Sequence, residues 1–247
     1  MNSQMDFSKV CTAFKTRRLY DMSDVLMDQI WLKSQPDRVL YDMYREVHLS
    51  GKDLTQMKTH VLRYDITVIP PGMLGPEYIK TAGHYHPPVS HLSCADAPSY
   101  PEVYQVIHGT ATYLLQKRDL SEFIVIEAKE GDVVLIPPDF GHVTVNTSLE
   151  KLTMANWVSD AFESEYEPIR EKAGLLYYLT EDGFCKNKNY EQFPEIAVKK
   201  PKSYPEFELF SGVDMYGLAC DLDKLEFLRH PEKFMDAFRR PFYESAV

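Results

Sequence analysis

Three histidines and one glutamate, placed in three separate segments, could together hold a metal ion. His84 and His86 lie in the run GHYH, Glu102 lies in PEVY, and His142 lies in PPDFGH. Residues i and i+2 of a β-strand project from the same face, so GHYH can direct both imidazoles at one ion. Imidazole suits Zn, Fe, Ni and Cu, and an added carboxylate favours Fe(II), Mn or Ni over a structural zinc. The pattern indicates a metalloenzyme if the fold brings the three segments together.

The composition is that of a globular protein with no general affinity for nucleic acid or membranes. The 247 residues include 27 Lys and Arg against 37 Asp and Glu, a formal net charge of −10. This balance disfavours partners that are polyanions, although a local pocket could still take a phosphorylated small substrate. The sequence shows neither a signal-peptide pattern nor an apolar run of the ~20 residues that a membrane span needs. The four cysteines have no CxxC spacing, and we expect free thiols and a cytoplasmic location.

The strands that must position the four side chains are predicted within residues 61–182. Eight short segments rich in β-branched and aromatic residues follow one another there, from LRYDITVIP to LTMANWV. Turn residues separate most of them, and no helical pattern intervenes. This succession is typical of an antiparallel barrel or jelly roll, so we predict an all-β fold in a single domain.

Arms of mixed or helical structure are predicted on both sides of this barrel. Residues 1–60 are interpreted as an N-terminal arm with a short helix over about residues 24–32, capped by Ser23. Residues 183–247 are interpreted as a C-terminal extension packed on the barrel or on a partner subunit. Its apolar stripe predicts a helix over DLDKLEFLRHPEKFMDAF, interrupted at Pro231.

The segment 75–150 resembles the cupin superfamily, whose fold is a double-stranded β-helix, or jelly-roll barrel. Glu102, followed seven residues later by Gly109, matches the end of the first cupin motif. The second motif is matched by residues at the family spacing, namely Gly131, Pro137, His142 and Asn146. Fifteen residues separate His86 from Glu102, where most cupins have only a few. We expect this insertion to form a long loop at the barrel mouth.

A closer resemblance is to the archaeal-type, cupin glucose-6-phosphate isomerases. The shared segments are TVIPPG at 67–72, KTAGHYH at 80–86, PEVYQVIHG at 101–109 and PPDFGHVTVN at 137–146. The resemblance implies a metal-dependent aldose–ketose isomerase that interconverts glucose 6-phosphate and fructose 6-phosphate in glycolysis or gluconeogenesis. It implies one divalent ion per subunit, with Fe(II) favoured and Mn, Ni or Zn as alternatives. It also implies a homodimer, which would cover exposed strand edges.

The resemblance assigns a role to ten positions of this chain. The implied metal ligands are His84, His86, Glu102 and His142. The implied catalytic residues are Glu102 and Tyr104, and the implied substrate-binding residues are Tyr44, Thr67, Thr81, Gly83 and Tyr166, with both threonines and Gly83 at the phosphate. Strict strand alternation would instead put Lys80 on the face of the two histidines, and a bulge near Ala82 and Gly83 would reconcile the two interpretations.

Two positions depart from the family pattern and keep other functions open. Ser164 stands where family members often carry a histidine, and Val158 where a tyrosine is common. A cupin dioxygenase, a non-catalytic sugar-phosphate-binding cupin, and an isomerase that also accepts mannose 6-phosphate are the alternatives. The remaining histidines do not belong to a set of metal-ligating residues at cupin spacing, and we expect them to be solvated or structural. They are His48, His60, His91, His108 and His230, of which His91 lies in the inserted loop.

Overall fold

The computed structural model describes residues 6–94, 96–239 and 243–245. Its fifteen strands are β1 (Ala13–Arg18), β2 (Val39–Arg45), β3 (Leu62–Ile69), β4 (Met73–Leu74), β5 (Glu77–Tyr78), β6 (Glu102–His108), β7 (Thr110–Lys117), β8 (Phe123–Lys129), β9 (Val133–Ile136), β10 (Phe140–Val145), β11 (Leu152–Ser159), β12 (Tyr177–Thr180), β13 (Gly183–Lys186), β14 (Ile196–Lys200) and β15 (Glu244–Ser245). Four short α-helices accompany them: α1 (Gln29–Lys33), α2 (Gly51–Thr59), α3 (Glu167–Arg170) and α4 (Met235–Phe238).

Two sheets enclose a common core, and from β8 to β11 successive strands alternate between them. One sheet has six strands in the order β1-β2-β3-β11-β6-β9, and the other has five in the order β10-β7-β8-β14-β15. Buried residues of both sheets form one hydrophobic cluster, for example Val106 and Met154 from the first and Leu115 and Ile126 from the second. This alternation of antiparallel strands confirms the all-β, jelly-roll prediction. A third sheet, β13-β12-β5-β4, lies beside them.

The first sixty residues supply two strands to the larger sheet, because β1 pairs with β2 and β2 with β3. The predicted helix over residues 24–32 is wrong. Tyr20–Val25 is a 3₁₀ turn, and α1 begins later because the Asp28 side chain accepts hydrogen bonds from the first amides of that helix. An aspartate cap thus fixes the start of α1 where Ser23 was expected to do so.

A second core covers the outer face of the six-stranded sheet. Trp157 and Tyr64 are fully buried there, against aromatic residues from beyond position 200 such as Tyr216 and Phe227. The predicted C-terminal helix is wrong, because 3₁₀ segments run over Met215–Cys220, Leu222–Leu228 and Pro231–Phe234 before α4. Short turns let apolar residues on several sides of this segment reach the sheet, which one straight stripe could not do. Among the described residues, no helix is long and apolar enough to cross a bilayer.

Candidate metal centre

The segment that carries GHYH is irregular, and its irregularity decides which side chains enter the site. It was predicted as a strand, but only Glu77–Tyr78 is one, and beyond it Lys80 pairs with Val145 and His84 with His142 as isolated bridges. Between these two bridges the GHYH segment advances four residues while β10 advances three. This is the predicted bulge, and it rotates the chain so that Thr81 shares the side of the histidines. Lys80 points the other way, where its ammonium pairs with Glu77 and donates to the Val25 carbonyl at 3.0 Å.

Four side chains from three segments converge at this side of the segment. His84 and His86 follow the bulge, Glu102 begins β6, and His142 lies in β10. One ligand atom from each lies within 4.8 Å of all the others. Glu102 Oε2 is 3.2 Å from His142 Nε2 and 3.4 Å from His86 Nε2. The fold therefore assembles the four predicted metal ligands.

Backbone carbonyls orient two of the imidazoles toward this centre. His86 Nδ1 donates to the Tyr100 carbonyl at 2.8 Å, and His84 Nδ1 donates to the Ala82 carbonyl at 3.1 Å. The Nε2 atom of each ring is then left to face the centre. In His86 this nitrogen lies 3.4 Å from Glu102 Oε2, so both atoms can bind one ion. The donor set thus fits a divalent first-row ion.

The protonation states that a metal requires are favoured by the surroundings. Burial alone would raise the pKa of Glu102, but the neighbouring His142 and His86 outweigh it and hold this pKa well below its ordinary value. Burial lowers the pKa of His84 well below its ordinary value, and it lowers the pKa of His142 as well. At neutral pH the carboxylate is therefore ionised and these imidazoles are neutral, as metal ligands must be.

Asn156 is a residue of the site that the sequence reasoning missed. It lies on β11 next to β6, and its side-chain amide donates to Glu102 Oε1 at 2.7 Å. One carboxylate oxygen is thereby fixed, and the other is left to face the histidines. Such outer partners hold a ligand in its binding orientation. Only the pairing of two strands distant in sequence places Asn156 here.

A cavity opens beside the metal centre, and three of the four ligands line it. Four predicted residues line it: Thr67, Thr81, Tyr104 and Tyr166. The Tyr104 hydroxyl lies 3.2 Å from His142 Nε2. The ring of Tyr166 lies 5.2 Å from that of His84.

Two predicted substrate contacts lie outside this cavity. Tyr44 packs on Phe14, at 5.0 Å between ring centroids, on the opposite face of the sheet. The cavity tyrosine of the same LYDMY run is Tyr41, whose hydroxyl accepts a hydrogen bond from the Ala82 amide at 3.0 Å. Gly83 also faces away, and a Cβ on it would lie 2.8 Å from Val143 Cγ2. Close packing against β10 therefore accounts for the glycine.

Three arginines also line the cavity, and none was singled out from the sequence. Arg45 and Arg63 both pair with the fully buried Asp65, at 2.6 and 2.8 Å. Arg17 forms no ion pair within the described part of the chain, and its guanidinium lies 5.7 Å from the Tyr166 ring centroid. The cavity thus holds a positive charge that no neighbouring carboxylate neutralises by direct contact.

The two residues that depart from the family pattern, Ser164 and Val158, line the same cavity. Val158 is fully buried on β11, whereas Ser164 is only half-buried in the segment before Tyr166. The departures therefore concern the walls of the cavity rather than its four metal ligands.

Comparison with known proteins gives a consistent result. The family model for glucose-6-phosphate isomerase (GPI) matches residues 16–195. The glucose-6-phosphate isomerase of Thermococcus litoralis is 30% identical over 171 residues, which is 68% of this chain and 80% of that protein. The enzyme of the same name from Thermococcus kodakarensis is 31% identical over 173 residues, covering 69% and 82%.

Likeness to solved structures is weaker. Oxalate decarboxylase from Bacillus subtilis at pH 4.6 is 20% identical with a TM-score of 0.36, over 53% of this chain and 28% of the other. Oxalate oxidase in complex with the substrate analogue glycolate is 15% identical with a TM-score of 0.35, over 45% and 48%.

Proposed function

This chain belongs to the glucose-6-phosphate isomerase family, and we propose that it interconverts glucose 6-phosphate and fructose 6-phosphate with the help of a divalent metal ion. The convergence of His84, His86, Glu102 and His142 beside one cavity is the observation that carries this proposal. Fe(II) is the favoured ion, with Mn(II), Ni(II) or Zn(II) as alternatives, because three imidazoles and a carboxylate suit these metals. Action in glycolysis or gluconeogenesis, a homodimer and a cytoplasmic location stay predictions.

The ion would supply Lewis acidity and an orienting contact for the two oxygens of the open-chain sugar between which the double bond moves. The protein's own part is to hold its donors rigid. The Tyr100 carbonyl orients His86, and the Asn156 amide orients Glu102. Three of the four ligands are buried, and His84 alone keeps partial exposure. Substrate would therefore approach from the cavity side, where His84 is accessible.

The phosphate group is proposed to bind at the end of the cavity that holds Arg17. Arg17 is the only one of its three arginines without an ion pair among the described residues, so an anionic ligand need not displace an existing partner. Its Nε donates to the Tyr41 hydroxyl at 3.3 Å, which holds the guanidinium in place. Thr67 and Thr81 line the same space and can add hydroxyl or amide contacts. Charge-assisted hydrogen bonds of this kind are the stronger ones.

Tyr104 is proposed to act as a hydrogen-bonding residue and not as a base. Burial raises the pKa of its hydroxyl well above the ordinary value, and the nearby Glu102 raises it further. The phenol therefore stays protonated at neutral pH, and its proton can be directed at a sugar oxygen that gains negative charge. Such a fixed donor stabilises charge as it develops.

Turnover of fructose 6-phosphate in matched arginine variants tests the substrate class. Arg17→Gln removes the cavity charge, whereas Arg18→Gln removes the adjacent arginine, which is exposed and paired with Asp37 at 2.6 Å. We expect a KM at least roughly tenfold higher in Arg17→Gln, since hydrogen bonds to charged groups contribute about 1.5–3 kcal/mol, and an unchanged KM in Arg18→Gln. Equal values for both variants would contradict a phosphate site at Arg17. Absence of turnover in the metal-loaded wild type would contradict the proposed function itself.

A further inference from the structure

A second group of metal-ligating side chains joins the inserted loop to the C-terminal segment. His91 lies in the fifteen-residue insertion between His86 and Glu102, and His230 and Glu232 lie at the start of the last 3₁₀ turn. His91 Nε2 is 3.0 Å from Glu232 Oε1, and His230 Nδ1 is 3.3 Å from the same oxygen. One ligand atom from each of the three lies within 4.8 Å of the other two.

These three residues are separate from the centre described above. None of them lines the cavity beside His84. His230 and Glu232 also lie beyond residue 195, where the match to the family model ends. Whatever this cluster does, it is therefore not accounted for by the family's shared segments.

The geometry of the carboxylate suits a bound cation. Both imidazoles approach the same oxygen of Glu232, while its Oε2 is buried and has no hydrogen-bond partner among the described residues. Leaving a buried carboxylate oxygen without a partner is costly. In a tetrahedral site with bonds of about 2.1 Å, neighbouring ligand atoms lie about 3.4 Å apart. The two nitrogen–oxygen separations are already close to that value.

We propose that His91, His230 and Glu232 bind a zinc ion, with the fourth position open to solvent. Two histidines and one glutamate are a set that zinc accepts from proteins, with water completing the tetrahedron. The His91 and His230 rings stand at 63° with centroids 4.9 Å apart, so their nitrogens approach the carboxylate from different directions. His91 keeps partial exposure, which gives an ion a path from solvent.

Binding at this site would tie the inserted loop to the C-terminal segment. The same loop carries Tyr100, whose carbonyl orients His86, and Pro88 and Ser99 pair across its base. An ion at Glu232 would therefore stabilise the loop that positions one ligand of the first centre. Its effect on the first centre is structural, since no residue of the cluster lines the cavity.

Zinc binding by metal-stripped protein tests this inference without any activity measurement. Equilibrium dialysis against Zn(II) is expected to give two tightly bound ions per chain for the wild type. One ion should be lost in His230→Ala and in the gentler Glu232→Gln, and one should also be lost in His142→Ala. His60→Ala is the control, because His60 is another partly exposed histidine, bonded to the Gln56 carbonyl.

The variants also separate this site from the first centre. A combined His142→Ala, His230→Ala protein is expected to bind no zinc tightly. Equal stoichiometry in wild type, His230→Ala and Glu232→Gln would overturn the second site. If only His142→Ala binds less zinc than the wild type, zinc binds at the first centre alone and the second site is overturned. If only the His230 and Glu232 variants bind less zinc, the second site is upheld and the first centre does not bind zinc tightly. Far-ultraviolet circular dichroism confirms that each variant is folded.

Discussion

Tyr41 and Tyr44 lie three residues apart on β2 and point to opposite faces of the sheet. The Tyr41 hydroxyl accepts hydrogen bonds from the Ala82 amide and from Arg17 Nε, at 3.0 and 3.3 Å. Tyr44 instead packs between Phe7 and Phe14, with centroid separations of 5.6 and 5.0 Å. In a strand without a bulge, an odd spacing separates faces in this way.

Tyr41→Phe is expected to weaken substrate binding, and Tyr44→Phe is the matched control. Removing the Tyr41 hydroxyl leaves the Ala82 amide without its partner and releases Arg17. The loss of one hydrogen bond is about 1 kcal/mol, so KM for fructose 6-phosphate should rise roughly fivefold. Tyr44→Phe should leave KM unchanged. Steady-state kinetics decide this, and a larger effect at Tyr44 would mean that the cavity has been assigned to the wrong face.

Asn156→Ala is expected to lower the affinity for the metal at the first centre. Without the bond to Glu102 Oε1, the carboxylate can rotate away from the histidines. Partners of this kind typically contribute about 10–100-fold to metal affinity. Competition with a chromophoric chelator measures the change. Asn189→Ala serves as the control, because the side chain of that exposed asparagine donates to the Lys172 carbonyl, in the C-terminal half of the chain. Equal affinities for the two variants would show that Asn156 does not orient the ligand.

The stability of metal-free protein should fall in mild acid, in part because of His84. Burial lowers the folded-state pKa of His84 well below 6.5, and His142 and His86 lower it further. The unfolded chain therefore binds the proton first as pH falls, and the free energy of unfolding declines below about pH 6.5, by up to about 1.4 kcal/mol per pH unit. Above that pH this contribution is constant.

Urea unfolding of wild type and His84→Gln between about pH 8 and about pH 5 measures this contribution. The variant lacks the proton-binding group, so it should lose less stability over that interval than the wild type does. Parallel curves for the two proteins would show that the His84 pKa is not lowered in the fold.

Hydrogen transfer between C1 and C2 is expected to proceed with little exchange with solvent. The two routes are a proton shuttle through Glu102 and a direct hydride shift. A carboxylate whose pKa is held well below its ordinary value by His142 and His86 is a poor proton acceptor. Both of its oxygens are also engaged, one with Asn156 and one with the histidines. The geometry therefore favours the hydride shift.

Fructose 6-phosphate turned over in D₂O distinguishes the two routes. The hydride shift predicts glucose 6-phosphate that retains protium at C2, as read by proton magnetic resonance. Nearly one deuterium at C2 per turnover would instead establish Glu102, or another group of the cavity, as the shuttle base.

The sequence was sufficient for the four candidate ligands, since their residue types and spacing match a motif. It also located the bulge, because Thr81 and His84 can share a side only if the alternation breaks between them. It was insufficient for Tyr41, because Tyr44 of the same LYDMY run was predicted instead and only the register of β2 separates the two. Asn156 and Arg17 escaped notice because their contacts join segments that are far apart along the chain.

The helices were predicted less well, for a physical reason. The start of α1 depends on which acidic or hydroxyl side chain reaches the first free amides, and both Ser23 and Asp28 could do so. The C-terminal segment was predicted to be a helix because its apolar residues recur at helical spacing. In the fold the same residues reach one sheet through successive 3₁₀ turns, and only tertiary packing specifies that arrangement.

Removal and restoration of the metal decide whether this protein is a metal-dependent isomerase. Turnover of fructose 6-phosphate to glucose 6-phosphate would be followed in wild type before chelation, after chelation, and after addition of Fe(II), Mn(II), Ni(II) or Zn(II). We expect activity to disappear on chelation and to return with at least one ion, most strongly Fe(II), and Glu102→Ala to stay inactive under every condition. Full activity in verified metal-free protein would contradict a metal-dependent isomerase. Tight metal binding without turnover would favour a cupin dioxygenase or a non-catalytic sugar-phosphate-binding cupin instead.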